Sequence, residues 1–155
     1  KNEDKWLIWQ NEISNLKRKN IPVPKSTFVE AIAACGSGDV KRWSCAMNLF
    51  SEMKGCGIEL DSSAYHSAIA ASAFHGKWRK ATQLINEMKD QGLKPDLNCY
   101  SQALKACADH AKWERAVDLL KDMFEDDVRP DELCYLEAIR ACRKAGVVKE
   151  AKRLQ

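Results

Sequence analysis

The side chains that could carry chemistry in this chain are three histidines, seven cysteines and a scatter of carboxylates. His66, His75 and His110 are followed two residues later by Ala68, Lys77 and Lys112. The H-x-E element, in which a histidine holds zinc while a glutamate moves protons, is therefore absent. Successive cysteines are separated by 10, 11, 43, 8, 27 and 8 residues, which gives no C-x-x-C pair and no common zinc-ligand pattern. The odd number of cysteines points to reduced thiols. No catalytic residue, cofactor, metal site or small-molecule substrate is expected. What the residues do show is repetition: HGKWRKA at His75–Ala81 returns 35 residues later as HAKWERA at His110–Ala116.

The repetition runs through the chain. Trp43, Trp78 and Trp113 lie 35 apart, as do Ala46, Ala81, Ala116 and Ala151, and so do Met53, Met88 and Met123, with Val148 in the fourth tryptophan place. A fixed period of this size is the signature of a repeat array, in which one unit cannot bury its apolar faces alone. Within a unit, Tyr65, Ala68, Ile69 and Ser72 fall at i, i+3, i+4 and i+7, and Trp78, Ala81, Ile85 and Met88 at i, i+3, i+7 and i+10. Each run marks one face of a helix, so each unit is a helical hairpin. The first run recurs at Tyr100, Ala103, Leu104 and Cys107 and at Tyr135, Ala138, Ile139 and Cys142. Its earliest copy, Phe28, Ala31, Ile32 and Cys35, precedes Tyr65 by 37 residues rather than 35. The second-helix spacing is undisturbed, so the two extra residues are expected in the glycine-containing turn CGSGDVKRW.

These patterns predict an all-α solenoid of 35-residue hairpins as one unit over 1–155: a half repeat at 1–25, repeats at 26–62, 63–97 and 98–132, and a partial repeat at 133–155. Trp6, Trp9, Ile13 and Leu16 supply a second helix without its first, and the array is expected to be cut at both ends. The opening KNEDKW has no initiator Met and no targeting segment, as expected of a processed or partial chain. Gly57 and Gly92 follow second helices where a left-handed residue is wanted, Asp127 takes that place in the third unit, and the KPD and RPD turns start the next helices. The tryptophans are expected to be buried and to clamp the hairpins.

With 45% hydrophobic and 30% charged residues the chain has the composition of a folded domain. A net charge of +3 is too small for bulk charge to identify a nucleic-acid binder, so the argument must rest on local patches. No apolar run is long enough to cross a bilayer.

Tetratricopeptide repeats fit poorly, because they run at 34 residues and carry their Trp in the first helix. The tyrosine near the start of the first helix, the alanine early in the second, the E-M-K-x-x-G of Glu87–Gly92 and the closing K-P-D resemble the pentatricopeptide repeat family over nearly the whole chain. The resemblance implies a right-handed superhelix of the mitochondrion or plastid, whose first helices line a concave groove for single-stranded RNA, one base per repeat. It further implies that bases meet the residue after the Tyr together with an Asp near the repeat's end: Val29 with Asp61, His66 with Asp96, and Ser101 with Asp131. Of these, Ser101 with Asp131 resembles the family's guanine-favouring pair. The first residues of the repeats, often Val in the family, are Ser26, Ser63, Asn98 and Leu133.

Simpler roles stand beside these. Each of the three aspartates precedes a helix and suffices as its cap. On the face away from helix packing lie Asn98, Ser101, Lys105 and Asp109, then Leu133, Leu136, Arg140 and Lys144. Lys105 and Arg140 form either a phosphate track, joined by Lys144, or a solvated surface. Phe74 is expected as a buried turn anchor, with stacking on a base as the alternative. Cys35, Cys107 and Cys142 share one repeat place with Ser72, as small core residues do, and His75 and His110 share a turn place suited to capping. Two partner classes remain open: single-stranded RNA in an array or ribonucleoprotein, and protein subunits of a large organellar assembly such as a ribosome or a membrane-bound complex.

Overall fold

The computed structural model describes residues 5–36 and 40–154, without the side chains of residues 40 and 41. The described residues form nine helices and no strand: α1 (Lys5–Arg18), α2 (Lys25–Gly36), α3 (Val40–Gly55), α4 (Ser62–Phe74), α5 (Trp78–Asp90), α6 (Leu97–Asp109), α7 (Trp113–Glu125), α8 (Glu132–Lys144) and α9 (Val148–Arg153). The hairpins are α2–α3, α4–α5, α6–α7 and α8–α9, with α1 packed on α2. The expected all-α repeat architecture is what is found.

Local sequence accounts for the boundaries. Asp61, Asp96 and Asp131 are extended residues whose carboxylates accept from the backbone N–H of Ala64 (3.1 Å), Cys99 (3.0 Å) and Cys134 (2.9 Å), which caps α4, α6 and α8. At the far end of the second helices, Gly57, Gly92 and Asp127 take φ of +69°, +74° and +64°. Each turns the chain so that the next amide, from Ile58, Leu93 or Val128, reaches back to the carbonyl of Met53, Met88 or Met123. Those three apolar residues then pack against the core. The same device ends α4, α6 and α8 at Gly76, Ala111 and Gly146. A side chain at Gly76 would overlap His110 Nε2, whereas one repeat on, Ala145 occupies the histidine's place and an alanine serves as the turn residue.

The spacing irregularity has a structural counterpart. Helix α3 begins at Val40, three residues ahead of Trp43, whereas α5 and α7 begin at the matching tryptophans. Part of the extra length thus extends the second helix rather than the turn; residues 37–39 of that turn lie outside the described residues.

Packing separates two layers. First helices α2, α4, α6 and α8 each pack directly on the next. Second helices pack on their own partners and on the following first helix, and among the described residues no two of them approach as neighbours through their backbones. They are joined instead by side chains: Lys17 with Glu52, Lys54 with Glu87, and Lys89 with Asp126 at 2.8 Å. The close-packed first-helix layer is therefore the inner one. Between the layers lie Tyr65, Tyr100, Ile69, Leu104, Leu84, Met53, Met88 and Met123, all fully enclosed. Burial of Cys35, Ser72, Cys107 and Cys142 matches their expected role as small core residues.

The tryptophans do not behave as expected. Trp43, Trp78 and Trp113 are only partly buried, and Trp78 and Trp113 pack on the rim of the core. Cations starting the next second helix cover two of these rings: Lys77 stands 5.1 Å above Trp43 and Lys112 stands 5.6 Å above Trp78. Arg42 covers Trp6 in the same way at 5.7 Å. The indoles thus bridge neighbouring units through their faces, while the methionines fill the interior.

The caps make a prediction. Asp61 and Asp96 experience desolvation, which alone would raise their pKa, but the bonds from Lys25 and Ala64 to Asp61 and from Cys99 to Asp96 outweigh it and hold both below the usual carboxylate value. The Cys134 thiol and amide do the same for Asp131. A carboxyl whose pKa is lower when folded contributes stability above its unfolded pKa and loses it as pH falls through the folded value. Replacing any one of the three with Ala should cost about 1 kcal/mol near neutral pH, and the difference from the unsubstituted chain should begin to shrink as pH falls below about 4 and be lost only below the lowered folded pKa. Urea unfolding at two pH values measures both.

Candidate functional site

The same four repeat places recur on α4, α6 and α8 with different residues in them. The places counted from the repeat start are Ser63, His66, Ala70 and Phe74 on α4, Asn98, Ser101, Lys105 and Asp109 on α6, and Leu133, Leu136, Arg140 and Lys144 on α8. The groove changes character along its length: small and aromatic near α2 and α4, mixed on α6, basic and apolar on α8.

Across α2, α4 and α6 the groove deepens into a cavity of about 490 Å³. Its floor is small because Gly36 meets Ala71 so closely that a Cβ on the glycine would lie 3.2 Å from the alanine's. Ala33 and Ala70 lie beside them, and Phe74 of α4 and Asn98, Gln102 and Lys105 of α6 complete the lining. Phe74 is not a buried turn anchor: it is 66% exposed, lines this cavity and meets the His75 ring in a T-shaped contact at 5.2 Å. The residue belongs to the end of α4, where the inward-facing stripe leaves the packed layer. Lys105 is exposed and has no hydrogen-bond or ion-pair partner among the described residues.

Arg140 stands in the equivalent place on α8 but is engaged, 2.7 Å from Asp109 and 2.8 Å from Glu137. Lys144 donates to the Asp109 carbonyl at 3.4 Å. The three expected cations are therefore unequal: one free, two held against α6. Arg140 and Lys144 also line a second cavity, of about 680 Å³, with Arg143, Leu136, Ile139 and Leu154.

The structure brings His66 beside Asp96, with Nε2 3.3 Å from Oδ1. Cys99, one turn into α6, joins them, and the three ligand atoms lie within 4.8 Å of one another. Sequence spacing did not reveal this cluster, because its members straddle a repeat junction. Asp61 pairs with Lys25 at 2.8 Å, with Val29 half-buried nearby in sequence on the preceding first helix. Ser101 donates to the Asn98 carbonyl at 3.0 Å, and Asp131 caps α8. At all three junctions, then, the carboxylate is already committed to a helix end.

The model of the pentacotripeptide-repeat region of PRORP matches residues 14–153. The chain belongs to the pentatricopeptide repeat family. Solved structures agree on the fold. The pentatricopeptide repeat domain of Arabidopsis thaliana protein-only RNase P 1, determined in complex with tRNA, superposes with a TM-score of 0.86 at 14% identity, over 98% of this chain and 79% of that one. PPR10 in complex with an 18-nt psaJ RNA element gives 0.82 at 20% identity, over 98% of this chain and 22% of that one. Nuclear proteinaceous RNase P 2 from A. thaliana gives 0.84 at 15% identity, over 97% of this chain and 34% of that one. The chain thus spans about a fifth to a third of the latter two proteins. Among curated proteins no relative is matched by sequence.

Proposed function

We propose that this pentatricopeptide repeat chain is a non-enzymatic RNA-associated module that holds single-stranded RNA of the mitochondrion or plastid along its first-helix groove, within a longer array or ribonucleoprotein. The observation that carries this is that one cavity with small residues in its lining holds both an exposed aromatic ring, Phe74, and an unpartnered cation, Lys105. An unstacked base needs a flat apolar platform, and the following phosphate needs a mobile positive charge; both are supplied within one cavity. Two similar structures were determined with RNA, which supports the same reading. Val29 with Asp61, His66 with Asp96, and Ser101 with Asp131 are the side chains that would meet successive bases; among them Ser101 with Asp131 is the pair that would favour guanine. Because each aspartate also caps a helix, a base would have to share its carboxylate with the backbone N–H already bound there.

The test is the salt dependence of binding to single-stranded RNA, measured on this segment within an array long enough to bind. Lys105→Gln should weaken binding of all sequences and reduce the log–log salt slope by about one. Arg140→Gln should change it less, since Asp109 and Glu137 already neutralise that guanidinium. A slope untouched by Lys105→Gln would favour the second reading, a scaffold for protein subunits of an organellar assembly. That alternative draws on the exposed Leu133 and Leu136 of α8 and Val148 of α9.

A further inference from the structure

We propose that His66 Nε2, the Asp96 carboxylate and Cys99 Sγ form a binding site for a thiophilic divalent cation, Zn²⁺ above all, with its fourth coordination position open to the groove. Nitrogen, oxygen and sulfur donors of this kind are the ligands zinc takes, and three protein ligands with one open position is a common zinc arrangement. The distances suit it. Zinc–ligand bonds of about 2.0 to 2.3 Å in a tetrahedron put neighbouring donors about 3.2 to 3.8 Å apart, and His66 Nε2 already stands 3.3 Å from Asp96 Oδ1. All three donor atoms lie within 4.8 Å, so a small rotation of His66, 30% exposed, and a shift of Asp96, 53% exposed, that keeps its bond from the Cys99 amide close the site, while Cys99 is fixed in the packed layer.

A second observation concerns the histidine itself. His66 Nε2 is enclosed by protein and makes no hydrogen bond, although it is aimed at a carboxylate. A ring nitrogen in that setting is a donor in want of an acceptor or a lone pair in want of a cation. The position at the start of α6 works against a cation through the helix dipole, but two anionic ligands outweigh it once the cysteine ionises. Burial pushes the Cys99 thiol up to about 12, so in the metal-free protein it is neutral. On binding, the S–H bond breaks, the sulfur lone pair forms the Zn–S bond and one proton leaves to solvent.

The repeats supply their own controls. The equivalent triplets are Val29, Asp61 and Ala64 at the preceding junction and Ser101, Asp131 and Cys134 at the following one. The first lacks two ligands and the second lacks one, so one junction alone among these three carries the full set. A cation there would take His66 and Asp96 out of reach of a base, which makes occupancy a switch on that unit of the groove.

Co²⁺ is the probe, added to the metal-free chain of residues 1–155 and followed by its tetrahedral visible bands and by the thiolate-to-cobalt charge-transfer band; Zn²⁺ should displace it. The expected result is one equivalent bound, a charge-transfer band lost in Cys99→Ser, and affinity reduced at least about 10-fold in His66→Gln. Ser101→His should create a second equivalent at the following junction by completing the set with Asp131 and Cys134. Helical circular dichroism and thermal unfolding of each variant report folding, and His66→Gln, on the groove surface, remains decisive should Cys99→Ser fail to fold. A band that persists in His66→Gln with unchanged affinity, one that vanishes instead in Cys56→Ser at the exposed thiol, or no binding at all would overturn the proposal. None of these measurements involves RNA, so the site and the RNA reading stand or fall separately.

Discussion

Met88→Ala is expected to lower the stability of the chain by about 3 kcal/mol, more than any single tryptophan truncation. Met88 is wholly enclosed, as are Leu84 and Ala81 before it on α5 and its repeat partners Met53 and Met123. Helix α5 packs on α4 and on α6, so the thioether fills space shared by two successive units. Removing it leaves a void that stiff neighbours such as Tyr65 and Tyr100 cannot fill without moving. Trp78 has the larger side chain but is only partly buried, with Arg79 4.8 Å and Lys112 5.6 Å from its ring. Trp78→Ala should therefore cost about 2 kcal/mol, part of it the lost cation–π contacts. Urea unfolding of both variants tests the order, and equal or reversed costs would mean that the indole, not the methionine, holds the hairpin. In a near-neighbour array the same loss should also broaden the transition, as units on either side of α5 uncouple.

The periodic residues made the hairpins legible because each helix face is written in one run of the chain. Tyr65, Ala68, Ile69 and Ser72 are all enclosed, and Asp61, Asp96 and Asp131 start helices where their position before the apolar run requires. What the sequence left obscure depends on contacts between units. The tryptophans have the character of core residues, yet their place is near the start of the second helix, where the next unit's lysine covers Trp43 and Trp78. Phe74 lies just past the last packed turn of α4, and nothing in the sequence alone separates a last core residue from a first groove residue. Arg140 has its partner Asp109 31 residues upstream, and Cys99 joins His66 and Asp96, which the family resemblance pairs, only because α4 packs beside the start of α6. Spacing rules written for one helix or one loop do not register such neighbours.

Phe74→Ala should weaken single-stranded RNA binding by about 5- to 100-fold, the equivalent of about 1 to 3 kcal/mol for one stacked base. The ring is 66% exposed, and its truncation removes little from the core, so thermal unfolding should stay nearly unchanged. The effect should be tolerant of base identity, since stacking uses the π-face that every base has. Phe74→Trp should retain binding or improve it, and Phe74→Leu, which keeps apolar bulk without a flat face, should lose most of it. Combining Phe74→Ala with Lys105→Gln tests whether the two act on one nucleotide: both line the same cavity, so their losses should be less than additive if a single base and its phosphate engage them together. Strict additivity would place them on separate nucleotides. Binding that ignores the Phe74 series while still falling with salt would leave the aromatic face to another partner and reduce the groove to a track for phosphates.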